Sequence, residues 1–280
     1  MKKEKGIREL KNPLNKPMPN YRVYVMSAAE RTLVHIVSFA IGGLVGQVFY
    51  GGLFKDEYGE ATFATTISNA VFFVLVGFVA MRFLVRMYKR NRLDKQHDKL
   101  KQQFIALLDS LATSLASGSN VQKSFENAHN DLRMQYSESD FIVCETKQVL
   151  DGIAQNIGID LILKDFGERS GDENIVNFAE VFNTCHSKGG NMQTVIIRTH
   201  DSIREKIAIY DEIQTKLTSN KMQLNIMSLM PIGIVALLRM TNPSFAEAFA
   251  TGIGVFVNTV AIAIFIGAYT FGTKVVSMGE

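Results

Sequence analysis

The chain has 280 residues, room for one large domain or two ordinary ones, and 47% of them are hydrophobic. Its formal charge of +3 is no argument for a nucleic-acid partner, because residues 87–222 carry 17 basic side chains against 19 acidic ones. The only cysteines, Cys144 and Cys185, both fall in that central region, which excludes a disulfide framework and predicts free thiols.

The first residues, MKKEKGIRELKNPLNKPMPNYRVY, are basic and punctuated by proline, and predict a poorly ordered cytoplasmic tail over 1–31. Four stretches then lack any Asp, Glu, Lys or Arg: 32–54, 61–81, 222–238 and 248–273, with lengths of 23, 21, 17 and 26 residues. A helix needs about 20 apolar residues to cross a bilayer, with roughly 17–25 tolerated. Transmembrane spans are therefore expected at about 32–54, 62–85, 222–240 and 249–272. The first is not expected to be a cleaved signal peptide, since a long basic segment precedes it and no A-x-A-like site follows.

Charge sets the expected orientation. Eight Lys or Arg lie within Met1–Arg31, and Arg82, Arg86, Lys89, Arg90 and Arg92 follow the second span. The connecting segments KDEYGE and RMTNPSFAEAF are poor in basic residues. The positive-inside rule then keeps both termini and the centre in the cytoplasm, with Lys274 in agreement, and leaves both short loops outside. Arg86, Lys89, Arg90 and Arg92 are the topology-setting residues. Arg82 and Arg239, at span ends, are placed to snorkel to headgroups. No acidic residue lies deep in a span, which argues against a proton- or cation-coupled transporter.

Between the hairpins of spans, residues 86–221 show helical periodicity throughout. Leu100, Phe104, Leu107, Leu108, Leu111 and Leu115 form one stripe. Val121, Phe125, Ala128 and Leu132 form a second, and Ile175, Phe178, Val181, Phe182 and Cys185 another. The last and longest runs from Met192 to Leu217, and nothing in KLTSNKMQLNIMSLM stops it before the third span. A helix continuous from Asn191 to about Met240 is expected. The fold class is thus all-α: four transmembrane helices and a cytosolic six-helix antiparallel bundle, closed by a short cytoplasmic tail at 274–280.

Two segments of the bundle share a stop-and-restart pattern. LASGSNVQKSF places Gly118 and Asn120 where HSKGGNMQTVI places Gly189, Gly190 and Asn191. Glycine suits the left-handed position that ends a helix, and asparagine caps the next one. Within the spans, Gly42-x3-Gly46 and Ala263-x3-Gly267 have the spacing that lets helix backbones approach. They are expected to pack the spans within the chain rather than to form a dedicated dimer face.

The residues suggest no reaction. In CHSKGG the lysine precedes the glycines and follows a helix, the reverse of a phosphate loop. Cys185 and His186 project about 100° apart on a helix and cannot work as a pair. The five histidines have no HExxH or CxxC companions, so no metal and no cofactor is expected. Asp172 and Glu173 read as first-turn charges of a helix capped near Ser170 or Gly171.

FIALLDSLATSLASGSNVQKSFENA, then FGERSGDENIVNFAEVFNTCHSKGGNMQTVIIRTHDSIREK, then LMPIGIVALLRMTNP with Pro231, Asn242 and Pro243, resemble the type II secretion system F domain family. Within it the TadB branch, from Tad (Flp) pilus systems, is the most similar. The likeness covers about 100–275. It implies a non-enzymatic platform in the inner membrane that couples a hexameric cytosolic secretion ATPase to pilin assembly. Pilin subunits, a paralogous TadC-like membrane protein and membrane lipid are the implied partners, with homo- or hetero-oligomers expected. The alternative is a membrane-anchored receptor or regulator with a helical partner-binding domain, disfavoured because neither external loop is large enough to sense a ligand.

Overall fold

The computed structural model describes residues 7–54, 62–188 and 192–277. Elements in chain order are strands β1 (Ile7–Lys11) and β2 (Pro17–Tyr24), then helices α1 (Ala28–Tyr50) and α2 (Phe63–Ala116). Helices α3 (Val121–Gln135), α4 (Phe141–Ala154), α5 (Ile159–Ser170) and α6 (Glu173–Lys188) follow. The chain closes with α7 (Met192–Thr241), α8 (Pro243–Ala250) and α9 (Gly252–Ser277). It divides into two compact units, one of Met1–Ser27 with Lys89–Ala208 and one of Ala28–Tyr88 with Ile209–Glu280.

Outside the short N-terminal hairpin the fold is helical. The first unit has one hydrophobic core. Leu100, Phe104, Leu107, Leu108, Leu111 and Leu115 of α2 meet Phe125 and Leu132 of α3, Ile142 and Val149 of α4, and Phe166 of α5. Ile175, Phe178 and Phe182 of α6 and Ile196, Ile203 and Ile207 of α7 complete it. Phe104, Phe166 and Phe178 meet edge to face at 5.5–6.3 Å between centroids, the arrangement favoured by the ring quadrupole. Val181, placed on the α6 stripe by periodicity, is 37% exposed at its edge.

The N-terminal segment departs from expectation. Residues of the predicted loose tail form an antiparallel hairpin, with Leu10 opposite Met18 and Arg8 opposite Asn20. Asn15 adopts φ +57° in the turn, a conformation asparagine tolerates. A two-stranded hairpin is marginal alone in water. This one is stabilised by burying Met18 and Tyr21, the latter fully, against the helices. The helical unit therefore includes the segment before the first span.

Among the described residues, four helices are long and apolar enough to cross a membrane: Ala28–Tyr50, the apolar part of α2, Met222–Thr241 and Gly252–Val275. The first starts four residues earlier than expected and ends at Tyr50. KDEYGE lies outside the described residues, and the segment after Thr241 folds into α8. Asn242 caps that helix by accepting from the Phe245 amide at 3.2 Å, with Pro243 in the first turn.

Two helices are unbroken across the sequence boundary between the units. α7 is helical from Met192 to Thr241, about 75 Å at 1.5 Å per residue. α2, whose continuity was not anticipated, runs 54 residues from Phe63 to Ala116, about 81 Å. Nothing in its charged middle, RMYKRNRLDKQHDKL, contains proline or glycine.

Candidate functional site

A buried polar node lies where the hairpin meets the helical unit. Glu145 of α4 and Arg169 of α5 are each 3% exposed. Arg169 Nη1 donates to Glu145 Oε1 at 2.7 Å and Nη2 to Oε2 at 2.8 Å, a two-pronged guanidinium–carboxylate pair. Its Nε donates to Asp165 at 2.7 Å, and Nη1 also reaches the Pro19 carbonyl of β2 at 3.1 Å. Tyr21 completes the node by donating its hydroxyl to Glu145 Oε1 at 2.8 Å. Its ring packs edge-on to Phe141 at 5.0 Å.

Burial pushes the Tyr21 hydroxyl pKa well up, and the adjacent Glu145 charge adds to this, so Tyr21 is a donor throughout the physiological range. For Arg169, burial alone would lower the pKa, but the bonds and charges of Glu145 and Asp165 outweigh it and raise it. From α2, Gln96 Nε2 donates to the Tyr21 carbonyl at 3.2 Å, and the His97 ring lies 2.8 Å from the same oxygen. Asn12 bonds Gln148 at 2.9 Å, and Lys16 pairs with Asp151 at 2.7 Å at the rim. The void beside Glu145 is about 10 Å³, with Leu107, Val149 and Phe166 in its wall. That is room for one water at most. The node can hold the hairpin to α2, α4 and α5; it has no space for a substrate.

A second link joins α2 to α7. His200 Nε2 lies 2.6 Å from Asp109 Oδ1, and its Nδ1 lies 2.9 Å from Asp201. Arg204 reaches the same Asp109 oxygen at 3.0 Å. Gln193 near the start of α7 donates to the Leu115 carbonyl at 2.7 Å, satisfying an end group of α2.

The corner between α2 and α3 is built as a Schellman motif. Gly118 has φ +89°, its amide donates to the Leu115 carbonyl at 3.0 Å, and the Ser119 amide donates to Ser114 at 3.2 Å. Asn120 then accepts from the Lys123 amide at 2.8 Å. Gly189, Gly190 and Asn191 lie outside the described residues. The first turn of α6 is capped one residue later than expected: Asp172 accepts from the Asn174 amide at 2.8 Å.

In the second unit, Gly42 and Gly46 lie on the face of α1 against α2. A Cβ on Gly42 would fall 2.3 Å from Ala80 Cβ, and one on Gly46 3.0 Å from Val76. Ala263 and Gly267 of α9 are exposed, with open space where a Gly267 Cβ would stand. No close helix approach occurs at Gly267 among the described residues, where the expectation was that both small pairs pack the spans together. Close approach on α9 comes instead from Gly272, facing Leu224 of α7.

Arg239 does not reach away from the chain. It donates to the carbonyls of Gln47 (3.3 Å) and Val48 in the last turn of α1 and of Gly51 just after it, and lies over the Phe249 ring. Asn258 donates to the Phe49 carbonyl at 2.9 Å, and Asn69 accepts from the Gly52 amide at 2.9 Å. Beside Arg239's helix is an apolar cleft of about 520 Å³, lined among others by Phe49, Pro231, Phe249, Asn258 and Phe265.

Arg86, Lys89, Arg90 and Arg92 are exposed on α2. Among the described residues neither Cys144 nor Cys185 forms a disulfide, and the Cys144 thiol donates to the Glu138 carbonyl at 3.4 Å. Among the described residues no three His, Cys, Asp or Glu side chains converge as metal ligands. Sequence reasoning missed the Tyr21–Glu145–Arg169 node. Its available signal was a tyrosine between turn residues and a charged residue at a buried helical position, Glu145 between Ile142 and Val149. Comparison with protein-family models, with curated proteins and with solved structures finds no match for the chain.

Proposed function

We propose that the chain is a non-enzymatic platform protein of the inner membrane, in a type IV-like (Tad/Flp) pilus or a type II secretion machine. It couples a hexameric secretion ATPase in the cytoplasm to the assembly of pilin subunits. The observation that carries this reading is the pair of unbroken helices, α2 and α7, that contribute both to the core of the helical unit and to the apolar segments. A displacement imposed on the helical unit is passed along a helix more directly than along a flexible loop.

The node around Glu145 supports the same reading, because it makes the N-terminal hairpin part of the helical unit. Only Val25, Met26 and Ser27 separate that hairpin from α1. Three segments thus leave the helical unit for the spans without a long linker. The remaining elements of the proposal are the six-helix cytosolic bundle, cytoplasmic termini and a TadC-like paralogue as membrane partner. In this reading the apolar cleft near Pro231 receives the apolar helix of a pilin.

Affinity purification of the full-length chain from membranes of its native host, with identification of the retained proteins, tests the proposal. A secretion ATPase, a related membrane protein or a pilin is expected. Recovery of only a kinase or response regulator would instead establish the membrane-anchored regulator.

A further inference from the structure

The outward face of α2 changes character within one turn. At about 100° per residue, Leu75, Phe78 and Val79 share one arc, and Arg82, Arg86, Lys89 and Arg90 continue it within about 120°. Leu75, Phe78 and Val79 are 58%, 59% and 69% exposed, as lipid-facing side chains are. The opposite arc carries Phe73, Val76, Gly77 and Ala80, which pack on α1. The basic residues therefore extend the lipid-facing side of the helix and not its packed side.

All four basic side chains are exposed and have no ion-pair partner among the described residues. On the facing helix, Glu30 accepts from Tyr88 at 2.8 Å, and Arg31 beside it is exposed. The headgroup layer of each leaflet is about 5–8 Å deep. Arg82 and Arg86 are separated by about 6 Å along the helix, so both fit within that layer, while Lys89 and Arg90, about 10–12 Å from Arg82, lie beyond it on the same arc. Guanidinium groups match phosphate oxygens by two-pronged donation.

We propose that this face of α2 is a binding site for anionic phospholipid headgroups, with Arg82 and Arg86 holding the phosphodiester and Lys89 and Arg90 adding charge. A role in orientation needs positive charge only somewhere near the span. A lipid site needs it on the arc that continues the exposed apolar side chains, where it stands.

The test is titration of the purified full-length protein in neutral detergent with phosphatidylglycerol or phosphatidylcholine, with bound lipid read by native mass spectrometry. Each basic side chain beside an anionic surface contributes about 1 kcal/mol, roughly fivefold in affinity. R82Q/R86Q/R90Q is therefore expected to lose on the order of a hundredfold for phosphatidylglycerol, with phosphatidylcholine unchanged. K147Q/K164Q/K206Q, which removes the same charge from exposed positions elsewhere, is expected to bind as the parent does. Equal affinity of the parent for the two lipids overturns the proposal, as does an equal loss in both triple variants. Displacement of the lipid by inorganic phosphate at equal concentration would mean a general anion site and also overturns it. Should R82Q/R86Q/R90Q fail to fold, the parent protein decides: its preference must weaken as salt rises, and a salt-independent preference overturns the assignment.

Discussion

Removing the Tyr21 hydroxyl is expected to loosen the N-terminal hairpin while leaving the helices intact. In Tyr21→Phe the ring still fills its place against Phe141 and Phe166. Glu145 keeps both bonds to Arg169, so the lost interaction is one hydrogen bond to a charged acceptor. Such bonds contribute about 1.5–3 kcal/mol. Because a lone two-stranded hairpin is marginal in water, undocking and unfolding of β1–β2 coincide, and amide exchange in the strands reports the docking free energy. Tyr21→Phe in the full-length protein should speed exchange of the β1 and β2 amides by roughly tenfold to a hundredfold. The amides of α4 and α5 should be unaffected. Tyr21→Ala also removes a fully buried ring, for a further 3–5 kcal/mol or so, and should bring the strands to unfolded-chain rates. Strand exchange within about twofold of the parent in Tyr21→Phe would refute the claim that this node holds the hairpin.

Gly118→Val should cost about 1–3 kcal/mol from the left-handed backbone alone, since no atom lies within 4 Å of the added Cβ. Gly118→Asn should cost less, and equal thermal stabilities for the two variants would contradict that cause. Gly42→Leu should destabilise the α1–α2 pair by about 1–3 kcal/mol through overpacking, because Ala80 stands where its Cβ must go. Unchanged melting in detergent would show that the helices do not meet there. Burial, with Arg133 and Lys147 nearby, lowers the His129 pKa below its ordinary 6.5. The unfolded chain therefore takes up that proton first, so this contribution is complete above about pH 6.5 and declines as the pH falls through the folded value. His129→Gln should flatten the loss of thermal stability as the pH falls below about 6.5; an unaltered pH profile would exclude His129 as a source.

The apolar spans were legible because 17 or more residues without charge leave few other structures open to a chain. The α2 stripe from Leu100 to Leu115 was legible for a related reason, since its period is that of a helix with one buried face. The Gly118–Asn120 corner combines two residue types with separate local physics, left-handed backbone and amide capping, and can be read without tertiary information. The hairpin could not be read in this way. Pro17 and Pro19 interrupt the donor pattern of β2, and charge is spread over both strands, so its order depends on a pocket made by α2, α4 and α5. The same holds for Glu145, whose partner Arg169 is 24 residues away. Arg239 illustrates the opposite difficulty. A cation at a span end reads as a headgroup contact, but the carbonyls at the end of α1 stand within its reach.

The central claim is that force passes along α7 from the helical unit to the apolar segments. Thr218→Pro is its most direct test, because proline inside a helix removes a backbone bond and kinks the chain, at about 3 kcal/mol or more. The measurement is surface pilin or secreted substrate in native cells carrying Thr218→Pro, with Thr218→Ala as control and ATPase retention on purified protein scored in parallel. The account predicts that Thr218→Pro still retains the ATPase while assembly is lost, and that Thr218→Ala assembles normally. Normal assembly in Thr218→Pro would contradict it.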